Sequence, residues 1–300
     1  MFRKGSLVLL AGLALFAVTV PAWAEDSSDA KNFAPLSRTG FDARALGMGG
    51  AYVGLANDAA AGYWNPAGLY MMGEGATSLS SMYTTGLSND RFQNYIAVAH
   101  RFQSFSLGVT WLNSGIRDVQ GWDGQGNSTS NFGEFDNIVG LSVGVGTDRA
   151  AFGFTLKGYF QGLNSQQRNG VGLDAGVQFK VSDMLTLGGV LQDMGGKVGG
   201  DRLPVNLRIG AGLYPMERLR FAMDVERTEN SATVLHGGGE YGVKFGDDAM
   251  AFLRAGVNDS KFNAGLGVKV SKLQADYAFT GEKESGFGNA HRVSLNVHFQ

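Results

Sequence analysis

The sequence predicts an all-β protein: a transmembrane antiparallel β-barrel of about 14 strands, closed on itself, with an N-terminal plug (hatch) segment. Three observations carry this. Beyond Gly75 the chain runs in short segments whose apolar residues recur at every second position. The links between segments alternate between tight turns and longer connections. The stretch Asp42 to Tyr70 is made largely of Gly, Ala and other small residues, nearly free of charge.

Taken in order, residues 1–24 read as a signal peptide. Arg3 and Lys4 give a basic start, Leu7 to Val20 an apolar run, and Ala22-Trp23-Ala24 a small-x-small cleavage site. The apolar run is shorter than the roughly 20 residues a helical span needs, so the mature chain is expected to begin at Glu25. Residues 25–75 are assigned to the plug and 76–300 to the barrel. Spanning strands are expected near 76–84, 92–101, 105–112, 135–146, 150–160, 169–181, 185–193, 204–213, 219–228, 233–245, 249–257, 261–270, 273–280 and 290–299.

The alternation is plainest in three of these. Val171, Leu173, Ala175, Val177 and Phe179 oppose Gly172, Asp174, Gly176, Gln178 and Lys180. Val205, Leu207 and Ile209 oppose Asn206, Arg208 and Gly210, and Phe221, Met223 and Val225 oppose Arg220, Asp224 and Glu226. A period of 3.6 would scatter these charges round every side of a helix. Tight turns are expected at Gln103-Ser104, Thr147 to Arg149, Ser182 to Met184, Pro215 to Arg218, Gly246 to Asp248 and Ser271-Lys272. Longer links lie at Asn113 to Glu134, Met194 to Leu203 and Gly281 to Asn289. Bacterial barrels have short periplasmic turns and longer external loops. Phe102, Phe105, Phe152, Phe179, Tyr214, Phe221 and Phe245 cluster beside the short turns, as an interfacial girdle would.

Composition narrows the function classes. Gly is 46 of 300 residues, Pro only 5 and charge 17%, while 20 Phe, 9 Tyr and 4 Trp set the chain apart from disordered Gly-rich sequences. There is no Cys, so neither disulfides nor thiolate metal sites hold the fold. A net charge of −2 gives no reason to expect nucleic acid or an anionic surface as partner.

Residues opposite the apolar stripe are small: Val139, Leu141, Val143 and Val145 back onto Gly140, Ser142, Gly144 and Gly146. A fourteen-stranded barrel is too wide for its own side chains to fill. Small inward residues therefore mean a water-filled pore or room for a plug, and Asp42 to Tyr70 supplies the plug. Its candidate plug and gating residues are Arg44, Gly47, Gly49, Gly50, Asn57, Asp58, Asn65, Pro66 and Gly68. Arg44, Asn57, Asp58 and Asn65 are expected to meet inward polar groups such as Asp174, Arg208, Glu240 or Arg254, since a bare buried charge is costly. Pro66 fixes φ and Gly68 can turn left-handed, so a defined turn should lead into the first strand.

The residues Ala45-Leu46-Gly47-Met48-Gly49-Gly50-Ala51, Ala56-Asn57-Asp58-Ala59 and Asn65-Pro66-Ala67-Gly68-Leu69 resemble the N-terminal hatch of the FadL superfamily. The resemblance implies a fourteen-stranded outer-membrane transporter for fatty acids or aromatic hydrocarbons. In such proteins a hatch blocks axial flow and a kinked strand opens the wall. The superfamily also includes the shorter PorV/PorQ-type proteins, closer in length to this chain, some of which bind and hand on exported proteins in type IX secretion. The chain departs from the fatty-acid transporters in its smaller external loops. It also ends Phe299-Gln300, where barrel-assembly signals usually end on the aromatic.

No enzyme motif is present. The chain lacks a Gly-x-Ser-x-Gly elbow and HExxH, and the Gly-x-Gly strings at Gly47 and Gly265 lack the helix and acidic residue of a dinucleotide site. His236 and Glu240 share a face about 13 Å apart along a strand, too far for one metal ion. Trp122 to Asn127 has the flavour of a calcium loop, but reads better as an exposed flexible loop. The expected function is passive uptake of small hydrophobic molecules across a bacterial outer membrane. The partners are then membrane lipid and a hydrophobic ligand, with no cofactor. The alternative is a PorV-like shuttle with a secretion partner protein.

Overall fold

The computed structural model describes residues 36–85, 91–163, 166–259, 261–281 and 289–299. The signal peptide and the Glu25 start lie outside the described residues, as does most of the expected link 281–289.

Fourteen long strands form one closed antiparallel wall. They are β1 (Thr77–Thr85), β2 (Arg91–Arg101), β3 (Ser106–Val119), β4 (Phe132–Gly146), β5 (Ala150–Leu163), β6 (Gln166–Ser182) and β7 (Leu185–Val198), then β9 (Asn206–Met216), β10 (Leu219–Thr228), β11 (Thr233–Phe245), β12 (Ala249–Asn258), β13 (Lys261–Val270), β14 (Leu273–Thr280) and β15 (Ala290–Phe299). A two-residue strand, β8 (Asp201–Arg202), folds back on the end of β7. Each long strand pairs with its chain neighbour, and β1 pairs with β15 from Thr77↔Phe299 to Thr85↔His291, which closes the wall and leaves no edge.

The period-2 reading sets the faces correctly. In β4, Leu141 is 57% exposed while its neighbour Ser142 is buried, and in β13 Leu266 is exposed beside buried Gly265 and Gly267. The outer surface is a band of exposed Val, Leu, Phe and Met, the face a lipid-embedded barrel presents. At the short-turn end, Phe102 and Phe105 stack at 4.7 Å and Phe152 meets Phe179 edge-on at 6.2 Å.

Three expectations change. The link Asn113 to Glu134 is shortened to residues 120–131, because β3 and β4 zip on past the apolar band, from Leu112↔Ile138 through Ile116↔Glu134 to Val119↔Phe132. Met194 to Leu203 is likewise the end of β7 with β8. Pro215 lies at the end of β9 rather than in a turn, beside a register shift between Leu219 and Phe221. Backbone pairing continues these strands where hydrophobic alternation stops, so the pattern could not reveal it.

Inside the wall lies the segment 36–72, with two short helices, α1 (Ala43–Gly47) and α2 (Ala61–Trp64), and 3-10 turns at Leu36–Arg38 and Pro66–Leu69. Nearly all of it is buried. Its backbone leaves the lumen at the short-turn end, where the Gly75 N–H donates to Arg101 O and the Arg101 N–H to Ala76 O.

Candidate functional site: the filled lumen and its outer mouth

The plug segment is shaped by its own acidic caps. Asp42, at φ 75°, accepts from the N–H groups of Arg44 (2.8 Å) and Ala45 (3.3 Å), capping α1, and its second oxygen accepts from Ser80 Oγ of β1 at 3.0 Å. Asp58 accepts from the Ala60 N–H (3.0 Å) and Tyr52 Oη (2.6 Å). Asn65 caps the Pro66–Leu69 turn through the Ala67 N–H and donates to Val53 O and Val177 O, both at 3.0 Å. One side chain thereby ties two parts of the plug to β6.

Other bonds fan out round the wall. Ser294 Oγ accepts from the Ala43 N–H at 2.8 Å, and Asp224 Oδ2 accepts from the successive N–H groups of Tyr52 (2.9 Å) and Val53 (3.1 Å). Gln178 donates to Gly54 O at 3.2 Å, Gln192 to Tyr63 O at 2.9 Å and Arg101 to Tyr70 O at 3.0 Å. His236 bonds Gly49 O at 2.9 Å and Glu226 at 2.8 Å through its two ring nitrogens. The segment's own turns and short helices satisfy part of its backbone, and strands round the wall bond groups that these leave over, as buried backbone requires.

Charge sits in three clusters. Glu240 accepts from Arg254 at 2.7 Å and Arg44 at 3.1 Å and also pairs with Arg220, while Arg254 reaches Asp276 at 2.7 Å. Arg208 pairs with Glu226 at 2.9 Å. Lys157 bridges Asp174 (2.8 Å) and Asp193 (3.0 Å), and Asp193 also holds Tyr159 and, at 3.1 Å, Ser37 Oγ of the plug. The last cluster escaped the sequence. Asp193, at φ 61°, lies within a register shift of β6 against β7, between the pairs Leu173↔Met194 and Ala175↔Leu191, and it and its neighbour Gln192 are both buried. Strict alternation would have sent one of them outward.

The expected contacts are met unevenly. Arg44 reaches Glu240, as anticipated, but Asp58 pairs with Arg44 itself at 3.3 Å and not with the wall. Asn65 bonds backbone carbonyls, and Asp174, Arg208 and Arg254 are satisfied chiefly within the wall. Asn57 is a correction: it is exposed. It lies next to Asp58, whose carboxylate is turned into the plug, so the two side chains part company.

Glycine serves close approach more than turning. Gly49 and Gly50 do take φ of 70° and 75°, but Gly68 sits in the 3-10 turn and not in the left-handed region expected for it. A Cβ there would fall 2.3 Å from Ala56 O, so space is what excludes a side chain. The barrel answers in kind. A Cβ at Gly188 would lie 2.3 Å from Val53 O, at Gly153 2.2 Å from the Pro66 carbonyl carbon, and at Gly238 2.3 Å from Met48 O. Gly47 rests on Gly265 in the same way, with a Cβ 3.1 Å from its Cα. Between these contacts Phe41, Tyr52, Tyr63 and Trp64 form a ring cluster with Tyr95 of β2, at centroid distances of 5.0 to 6.1 Å.

At the opposite end from the short turns a cavity of about 580 Å³ remains. Leu36, Arg38, Thr39, Leu46 and Gly49 of the plug line it with the loop-side ends of the strands. A second cavity of about 220 Å³ shares Arg38 and Leu46 and reaches Trp64 and His236. Further out, Asp123 accepts from the N–H groups of Gln125 (2.9 Å) and Asn127 (2.8 Å) and from Asn127 Nδ2 (3.0 Å). These bonds, that of the Asn127 side chain foremost, hold its carboxyl below the usual range.

No protein-family model matches the chain, and no curated protein matches it. Solved structures do. The Pseudomonas putida toluene transporter TodX aligns over 86% of this chain and 97% of its own at 13% identity, with a TM-score of 0.62. The Ralstonia pickettii toluene transporter TbuX aligns over 89% of this chain and 100% of its own at 13% identity and a TM-score of 0.65. A Pseudomonas aeruginosa FadL homologue aligns over 86% and 98% at 12% identity and a TM-score of 0.56. At such identities the likeness is one of fold.

Proposed function

We propose that this chain is an outer-membrane conduit for small hydrophobic molecules, passive and not catalytic, whose lumen is closed at rest by residues 36–72. The observation that carries this is the filled lumen. The plug is bonded to strands all round the wall, and the cavity at the long-loop end is floored by it. Leu36, Leu46, Phe92 and Ile116 give that cavity an apolar share, and the ring cluster lies deeper. The apolar outer band supports the location, and the fold shared with named toluene transporters supports the ligand class. The comparisons lend nothing to the alternative of a shuttle for secreted proteins.

The test is uptake of radiolabelled toluene by cells that express the chain in their outer membrane, against cells carrying an unrelated closed barrel. Faster initial uptake is expected at equal barrel abundance. Equal rates would overturn the reading.

A further inference from the structure

The smaller cavity has a lining of its own. It lies between the plug and one continuous sector of the wall, β9 to β12. Arg208, Glu226, His236 and Asn258 face it from successive strands, and Ser231 and Ala232 belong to the link between β10 and β11. Arg38, Thr39, Leu46 and Asn258 line both cavities, so the two adjoin at these residues. One part of the lining is apolar. Leu46 and Trp64 of the plug meet the cavity, and Trp64 has spent its one polar atom, Nε1 donating to Phe41 O at 2.9 Å. Gly40 and Gly50 flank that ring, where a Cβ on either would lie 3.5 Å from Trp64 Cη2.

The charged groups of the lining are engaged. Glu226 accepts from Arg208 at 2.9 Å and contacts His236 at 2.8 Å, and its other oxygen accepts from Asn206 at 3.0 Å. Arg38 donates to Pro204 O at 2.5 Å. Two neutral groups are left over. Among the described residues, neither the Ser231 hydroxyl nor the Asn258 amide makes a hydrogen bond, and neither is sealed off: Ser231 is exposed and Asn258 half-buried. Their hydrogen-bonding capacity is open to whatever fills the cavity.

We infer that this cavity is the selective site of the conduit and takes a phenol, a single aromatic ring against Leu46 and Trp64 with its hydroxyl toward Asn258 and Ser231. A cavity of about 150 Å³ is enough to hold benzene, so about 220 Å³ admits one substituted ring and no long chain. Toluene fills the same space but would cover the Asn258 amide and leave it unpaired. A site with a polar group to satisfy disfavours the isostere that lacks the hydroxyl for that reason. The inference rests on the proposed conduit for the ligand's ring and adds the hydroxyl.

The test is calorimetric titration of the full chain in detergent with phenol and with toluene, matched empty micelles being subtracted. Phenol should bind about fivefold tighter, the net worth of one hydrogen bond. The double variant Ser231→Ala/Asn258→Leu should lose that preference and still bind toluene. Ala232→Trp, which fills the cavity from the link, should weaken both ligands. Heat-modifiable migration shows that each variant is folded. Equal or weaker phenol binding to the unaltered barrel would overturn the inference, as would a preference that survives the double variant or binding that Ala232→Trp leaves unchanged. Benzoate binding tighter than phenol would also overturn it, and would assign the cavity to an anion at Arg38. Toluene uptake by cells is followed in parallel. Uptake without a phenol preference removes this inference alone, and a phenol preference without uptake upholds the site while removing the conduit.

Discussion

Arg44, on the first helix of the plug, and Glu240, midway along β11, meet at 3.1 Å, and this pair joins the plug to the wall's largest charge cluster. Arg254 stands behind it, its guanidinium shared between Glu240 and Asp276, with a fully buried side chain. Removing one member of such a group leaves an uncompensated buried charge, which costs more than the pair itself contributes.

Arg254→Leu should therefore destabilise the barrel by about 3–5 kcal/mol, since it leaves the buried Asp276 without its cation and takes one of three arginines from Glu240. Arg44→Leu should cost less, because Glu240 keeps Arg254 and Arg220. Urea unfolding in lipid vesicles, read by heat-modifiable migration, checks the order. Equal losses would mean that Arg44 is not the peripheral member.

Two adjacent glycines of β11 separate plug contact from strand chemistry. At Gly238 a Cβ would lie 2.3 Å from Met48 O, whereas at Gly237 the nearest atoms are 3.9 Å away. Gly238→Val should displace the plug and raise single-channel conductance in planar bilayers. Gly237→Val should leave conductance unchanged.

Deleting residues 42–61 removes α1, the ring of Tyr52 and the bonds to Ser294 and Asp224. The wall keeps its closed hydrogen-bond ladder, so a folded but open pore is expected, with conductance steps that the intact chain lacks. Unchanged conductance in a folded barrel would show that the segment does not close the lumen.

The two faces differ in what they tolerate. Leu253, near the middle of β12 and 54% exposed on the outer surface, pairs across to Leu266, and Leu253→Arg should cost about 2–4 kcal/mol. Asn206 points inward, where alternation suggests that Arg would be tolerated. It is in fact buried and bonded to Gln192, Glu226 and Thr228, so Asn206→Arg should also destabilise. Asn57→Arg, at the exposed plug position, should stay within about 0.5 kcal/mol. Thermal unfolding of the three variants in one detergent decides the ranking.

The wall was legible because a membrane barrel has lipid outside and small or polar residues inside, and a period of two records that difference at every strand. Val171 against Gly172 or Leu207 against Arg208 settles a face without any partner being known. The plug was legible as a composition, Gly and Ala with an Asn-Pro turn, because backbone can lie against backbone only where side chains are absent. What closes round it was not. Asp224 gathering the N–H groups of Tyr52 and Val53, Asp58 turning inward to Arg44 and away from the wall, and Asp193 brought beside Lys157 by a register shift all join residues remote in sequence or reversed from strict alternation. Local pattern fixes which way a side chain faces. Barrel closure and strand register fix what it faces, because those depend on hydrogen bonds between segments that carry no mark of each other.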